Sequence, residues 1–117
     1  MKKQDKEKLT KKINEYMINS GYTFRFSKTG DLDSNTNGKC NPNTKEIIIK
    51  SNSHAKTIAH ELAHVIQFNI HGDSACSTSG NLKLASEHAK YEEQVYYTLR
   101  QLNIAQEWNK AVGYYPY

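Results

Sequence analysis

The sequence predicts an α+β protein with an N-terminal helix, a small antiparallel sheet of two or three strands, and two long helices. Apolar residues recur at helical spacing in the first 20 residues and again beyond residue 56. Between these regions lie short β-branched and aromatic runs separated by Asn, Gly and Pro, which is typical of strands and turns. A chain of 117 residues can bury one modest core, so we expect a single domain over residues 1–117.

The N-terminal half supplies the first helix and the strands. Leu9, Ile13 and Met17 recur at helical spacing before Gly21, and they predict a helix over residues 5–20. Strands are predicted at residues 22–26, 38–40 and 45–50. Paired through short turns, these strands would form an antiparallel hairpin sheet.

The C-terminal half is predicted to be helical. An apolar helix is expected over residues 57–70, and the polar residues 51–53 before it are candidates for its N-terminal cap. Residues 82–104 have the pattern of a second long helix, and residues 104–112 have that of a shorter one.

Composition and charge restrict the partners. The formal net charge is +4, from 16 basic and 12 acidic residues, and six lysines lie within the first 12 residues. This basic segment offers a contact for nucleic acid or an acidic partner, although a solvated helix end is the preferred interpretation. The chain has no apolar run of about 18 residues and no secretory signal pattern. We therefore expect a cytoplasmic monomer that does not enter a membrane and keeps its two cysteines as thiols.

The sequence His60-Glu61-Leu62-Ala63-His64 is the main candidate for a functional site. Residues four apart lie on one face of a helix, so His60 and His64 can direct imidazole nitrogens at one point. Zn²⁺ takes neutral histidine nitrogens at about 2.0–2.1 Å in a tetrahedral arrangement. Glu61 is rotated by about 100° around the helix, where it can reach a water molecule activated by the metal. The pattern predicts a zinc site with Glu61 as general base.

A polar face on a surface helix is the alternative interpretation of these residues. A solvated face would have polar neighbours, whereas the neighbours here are apolar: Ile58, Ala59, Leu62, Ala63, Val65, Ile66, Phe68 and Ile70. Two histidines and a glutamate in so apolar a helix need partners, because buried polar groups without them cost free energy. The metal site is therefore the preferred interpretation.

A catalytic zinc usually has three protein ligands and a water, so a third side chain is needed. A third histidine on the same segment is excluded by the spacing, since Gln67 and Ile70 occupy the positions that require Gly and His. The remaining candidates are His71, Cys76, Glu87, His88, Glu92 and Glu93.

The second long helix favours Glu92 as the third ligand. Its predicted apolar stripe contains Ala85, Ala89, Val95, Tyr96, Leu99 and Leu102. Glu92 lies in the middle of this stripe, where a carboxylate requires a partner. His88, one turn earlier on the stripe, is either the rival ligand or a partner that orients the ligands. Glu93 and Glu87 are expected to point to solvent.

The segment from the last strand through the motif resembles the small gluzincins, in particular the ImmA/IrrE-like and related phage-type zinc metallopeptidases. The similarity rests on that strand, a short polar link, the run Thr57-Ile58-Ala59-His60-Glu61-Leu62-Ala63-His64, and a following helix that carries a Glu. It covers residues 38–102 and implies a minimal zincin-like core with zinc between two helices. Glu92 then matches the ligand Glu of the family, and Glu93 is the other residue that fits it. The SprT-like group, whose third ligand is a later His, ranks below because His71 follows the motif too closely.

These observations predict a zinc metalloendopeptidase that hydrolyses a peptide bond in a protein or peptide substrate. Glu61 would take a proton from the attacking water and return it to the leaving amine. Ile47, Ile48 and Ile49 are expected to form an edge strand for an extended substrate, with core packing as an equal alternative. The competing prediction is a metal-stabilised or inactive zincin-fold binding module that contacts nucleic acid or protein through the N-terminal helix. The resemblance also implies an origin in a phage or mobile element.

Overall fold

Four helices and three strands make up the described part of the chain, which is residues 1–72 and 82–114 of a computed structural model. They are α1 (Lys3–Tyr16), β1 (Thr23–Phe26), β2 (Gly38–Asn41), β3 (Glu46–Ile49), α2 (Lys56–His71), α3 (Leu82–Gln101) and α4 (Ile104–Val112). The α+β class and the order of the elements agree with the sequence prediction. None of the helices in these described ranges combines the length and the apolar character of a membrane span.

The three strands form a mixed sheet in the order β1-β3-β2, so β3 is the central strand. β1 runs parallel to β3, with Phe24 opposite Ile47, and β2 runs antiparallel to it, with Gly38 opposite Ile49. The predicted all-antiparallel sheet is therefore wrong for β1. The connection formed by residues 27–37 allows this order, because it is long enough to carry the chain past the end of β3 before β2 begins.

The prediction that Ile47, Ile48 and Ile49 form an edge strand is also wrong. Both edges of β3 are paired, so its backbone has no row of hydrogen-bonding groups left for an added peptide. The three side chains are buried, with 0%, 6% and 0% of their surface exposed. Core packing is therefore the correct interpretation of this isoleucine run.

Asn14 of α1 closes the outer edge of β1. Its side-chain amide donates to the carbonyl of Phe24 at 3.1 Å, and its Oδ1 accepts from the N–H of Phe24 at 2.7 Å. The side chain thus takes the place of a neighbouring strand. The opposite edge of the sheet is β2, which packs beside α2 and is paired on its outer side with no other described strand.

The start of α2 is held by α4 instead of by a cap from its own segment. α2 follows Ala55, which has no side-chain cap, and the predicted cap residue Ser53 donates to the carbonyl of Lys50 at 2.7 Å. Asn109 Oδ1 accepts from the N–H of Ala55 at 2.9 Å, and Trp108 Nε1 donates to the carbonyl of Ser53 at 2.8 Å. Both contacts are buried, so α4 fixes the position of the helix that carries H-E-x-x-H.

Asn109→Ala is expected to lower the free energy of unfolding by about 1–3 kcal/mol, because the buried N–H of Ala55 would lose its partner. Urea unfolding followed by circular dichroism measures the change. Lys110→Ala, at the exposed next position of α4, is the matched control and should stay within about 0.5 kcal/mol of the wild type. Equal losses in the two variants would contradict this role of Asn109.

Candidate metal centre

The H-E-x-x-H motif lies near the middle of α2, on the helix that packs against both α3 and β2. His60 and His64 are one turn apart on the side facing α3, and their ring centroids are 4.9 Å apart. His60 is largely exposed, whereas His64 is half-buried. The predicted arrangement of two imidazoles on one helix face is therefore present.

α3 brings His88 to these two residues. The His88 ring centroid lies 4.6 Å from that of His60 and 4.2 Å from that of His64. One ring nitrogen from each of the three histidines lies within 4.8 Å of the others. Three imidazole nitrogens this close together are a donor set that suits Zn²⁺ and related divalent transition metals.

Glu92 lies next to the histidine cluster and contacts two of its members. Its Oε2 is 3.3 Å from His60 Nδ1 and 3.6 Å from His88 Nδ1. His88 Nε2, on the other side of that ring, is 3.1 Å from the carbonyl oxygen of His60. The carbonyl of His60 therefore contacts Nε2 of His88, and the Glu92 carboxylate contacts Nδ1 of His60.

The cluster favours uncharged imidazoles. Burial, together with the nearby His88 and His60, lowers the pKa of His64 to about 4. Burial also lowers the pKa of His88, and this effect is opposed by Glu92 and by the hydrogen bond to the backbone of His60. Neutral imidazole is the form that binds a metal. Both rings can therefore offer a lone pair at neutral pH.

His64 has a buried nitrogen that the described residues leave without a partner. Its Nδ1 is inaccessible to solvent and has no hydrogen bond within residues 1–72 and 82–114. Buried polar atoms of this kind are uncommon, and a bound ion or water is one explanation for them. Gln67 Oε1 is a second such atom on α2. Together with the two neighbouring imidazoles, His64 Nδ1 is the observation that best fits a metal to the residues present.

Glu61 lies between α2 and β2 and interacts electrostatically with His60 and Glu92. Only 6% of its surface is exposed, and its side chain lies against Gly38. Burial raises the pKa of the Glu61 carboxyl group, and the negative charge of Glu92 adds to this effect, while His60 opposes it. A carboxyl group with a raised pKa is suited to proton transfer near neutral pH.

Gly38 is a site residue that the sequence did not reveal. A Cβ at this position would lie 2.8 Å from Thr57 Cγ2, 3.3 Å from Glu61 Cγ and 3.5 Å from Glu61 Oε2. The missing side chain lets β2 approach α2 closely at the position of the carboxylate. The one signal for this contact in the sequence was a glycine within a short predicted strand, which can mark a close approach of another backbone.

The other predicted candidates lie outside the cluster. A hydrogen bond of 2.8 Å joins His71 Nε2 and Glu87 Oε1, and Gln67 also donates to Glu87 at 3.2 Å. Glu87 is thus paired rather than solvated, whereas Glu93 is exposed as expected. Cys76 lies outside the described residues.

His88 is more deeply buried than the sequence suggested. The buried face of α3 contains His88, Val95 and Leu99, with the half-buried Glu92 between them, whereas the predicted stripe residue Ala89 is exposed. Positions 88, 92, 95 and 99 follow the spacing i, i+4, i+7 and i+11 of one helix face. That spacing was the signal in the sequence for a buried His88. The predicted stripe instead contained Ala85 and Ala89, which drew it away from this face.

No family model, no curated protein and no solved structure matches this chain. The resemblance to the gluzincins accordingly remains a prediction from the motif. A functional assignment depends on the side chains of the cluster and on Glu61.

Gly38→Ala is expected to lower the free energy of unfolding by about 1–3 kcal/mol, which is the usual cost of inserting a methyl group into a packed contact. The added Cβ would press on Thr57 and on the side chain of Glu61. Chemical denaturation measures the loss.

Thr57→Ser provides the internal test, because it removes the Cγ2 atom that the new methyl group would meet. Gly38→Ala should therefore cost less in the Thr57→Ser background than in the wild type. Strictly additive losses would show that the two side chains are not in contact.

Proposed function

We propose that this protein is a zinc-dependent peptidase with a zincin-like site. His60 and His64 of α2 hold the metal together with a side chain of α3, for which His88 and Glu92 are the candidates. The observation that carries the proposal is the group of three imidazole nitrogens within 4.8 Å of one another on and beside an H-E-x-x-H helix. The buried, unpartnered Nδ1 of His64 adds support.

Glu61 is the proposed general base. When bound, Zn²⁺ supplies Lewis-acid activation of a water molecule and of the substrate carbonyl group. Glu61 accepts the proton of the attacking water and passes it to the amine that leaves. Its buried position between α2 and β2 and its raised pKa support this role.

The proposed substrate is an extended peptide segment that lies along β2. The sheet order leaves the outer edge of β2 unpaired by any described strand, and Gly38 of this strand is in contact with the Glu61 side chain. An extended chain added to a sheet edge gains backbone hydrogen bonds regardless of its sequence. β2 thus replaces the isoleucine strand as the expected substrate edge.

The competing function is a metal-stabilised binding module that uses the basic helix α1. Two lysines of α1 lie close to Glu107 on α4. Lys8 is 3.8 Å from its carboxylate and Lys12 is 2.9 Å from it. These contacts reduce the positive charge that α1 can offer to a nucleic acid. The peptidase is therefore the function that the arrangement of side chains supports better.

Glu61→Gln is expected to abolish hydrolysis and to leave zinc binding intact, because Glu61 is the proposed base and is not one of the candidate metal ligands. A mixture of denatured proteins serves as substrate, and new N-termini are counted by mass spectrometry after incubation with zinc-loaded protein. Removal of one proton acceptor typically costs about 10²–10⁴-fold in rate. Glu93→Gln, at an exposed position of α3, is the matched control and should keep wild-type activity.

Two results would contradict the proposal. A wild-type protein that is folded yet takes up no zinc has no such metal site. A zinc-loaded wild type that cleaves no faster than the Glu61→Gln variant is a binding module and not a peptidase.

A further inference from the structure

We infer that the third metal ligand is His88, and that Glu92 orients His60 without binding the metal. This assignment rests on the proposed metal site and specifies its ligand set. It departs from the gluzincin pattern, in which the second helix supplies a glutamate. The juxtaposition that carries it is one buried histidine of α3 between two histidines of α2, with a carboxylate at the margin.

The hydrogen bond of His88 determines which of its nitrogens is available. The backbone carbonyl of His60 can only accept, so His88 Nε2, at 3.1 Å, carries the hydrogen. The lone pair of the neutral ring is then on Nδ1, which lies 3.6 Å from Glu92 Oε2. A histidine that binds a metal usually donates its other N–H to a carbonyl or a carboxylate, which fixes the tautomer and the ring orientation. His88 has this arrangement, since its Nε2 faces the carbonyl of His60.

Glu92 provides the corresponding contact for His60. Its Oε2 lies 3.3 Å from His60 Nδ1, so the carboxylate accepts from that N–H and leaves the Nε2 lone pair of His60 available. About a third of the Glu92 side chain is exposed, at 35%, compared with 8% for His88. His88, the more buried group, lies against the other two imidazoles, and Glu92, the more exposed group, lies beside them.

Charge balance agrees with this division. Three neutral histidines leave both positive charges of a divalent ion uncompensated, and burying such a charge requires nearby anions. Glu92, close to both His60 and His88, supplies a carboxylate at the cluster. This carboxylate does not need to be a ligand in order to compensate part of the charge.

The distances allow the three histidines to converge by rotation of their side chains. Two nitrogens bound to one tetrahedral zinc are about 3.3 Å apart, given bond lengths of about 2.0–2.1 Å. The three nitrogens are already within 4.8 Å of one another. These separations would have to shorten by at most about 1.5 Å for the three nitrogens to bind one zinc ion.

The test compares His88→Gln with Glu92→Gln in full-length protein purified without a histidine tag. His88→Gln removes the imidazole and retains an amide that can donate to the carbonyl of His60. His54→Gln removes a histidine outside the cluster and serves as the control. Zinc affinity is measured by competition with a fluorescent chelator, zinc content by mass spectrometry, and folding by urea unfolding.

We expect about one zinc per chain in the wild type and in His54→Gln, and loss of bound zinc in folded His88→Gln. Glu92→Gln should keep the stoichiometry and weaken affinity by about 10–100-fold, as is typical when a carboxylate that orients a ligand is removed. Zinc retained in His88→Gln and lost in Glu92→Gln would overturn the inference and leave the metal site standing. No zinc in the wild type would overturn both.

Cobalt absorption spectra keep the inference testable if His88→Gln does not fold. The visible bands of bound Co²⁺ depend on the atoms that bind it. We expect Glu92→Gln to bind Co²⁺ with a spectrum of wild-type shape, since the ligand set is unchanged. A clear shift of these bands in Glu92→Gln would show that the carboxylate is a ligand and would overturn the assignment.

Discussion

The interface between α2 and α3 must satisfy several polar side chains inside a mainly apolar core, and this constraint governs the rest of the structure. Burying such groups without partners costs free energy. Gln67 donates to the Leu84 carbonyl at 2.9 Å, and His88 is hydrogen-bonded to the backbone of His60. Within the described residues, His64 Nδ1 and Gln67 Oε1 are the buried atoms among these groups that have no partner. A metal ion bound by the three clustered imidazoles would complete the interface, so the same ion would serve stability and chemistry.

The remaining elements hold α2 where this interface requires it. α4 fixes the start of the helix, because Asn109 accepts from the Ala55 N–H and Trp108 donates to the Ser53 carbonyl. β2 approaches the flank of α2 at Gly38, next to the side chain of Glu61. In the proposed function, metal binding and proton transfer would use neighbouring positions of a single helix, which packs against both α3 and the edge strand β2.

The sequence predicts well those features that depend on nearby residues. Helical and strand periodicity gave the order of the elements, and the i, i+4 spacing of His60 and His64 placed their rings together, as observed at 4.9 Å. Features that depend on distant residues were not predictable in this way. The parallel pairing of β1 with β3 depends on the path of a long loop, and the partner of the Ala55 N–H is 54 residues away. Whether His88 or Glu92 lies closer to the histidines of α2 depends on how α3 is rotated about its axis. Helical periodicity in the sequence gives this rotation only approximately.

The proposed function requires that α2 and α3 hold one divalent metal ion between them. The most direct measurement is a crystal structure of protein grown with zinc, with anomalous diffraction data collected on both sides of the zinc absorption edge. We expect one strong anomalous peak at about 2.0–2.1 Å from a nitrogen of His60 and of His64, next to α3. Ordered crystals with no peak at this position, or with zinc bound only at His54 or His71, would contradict it.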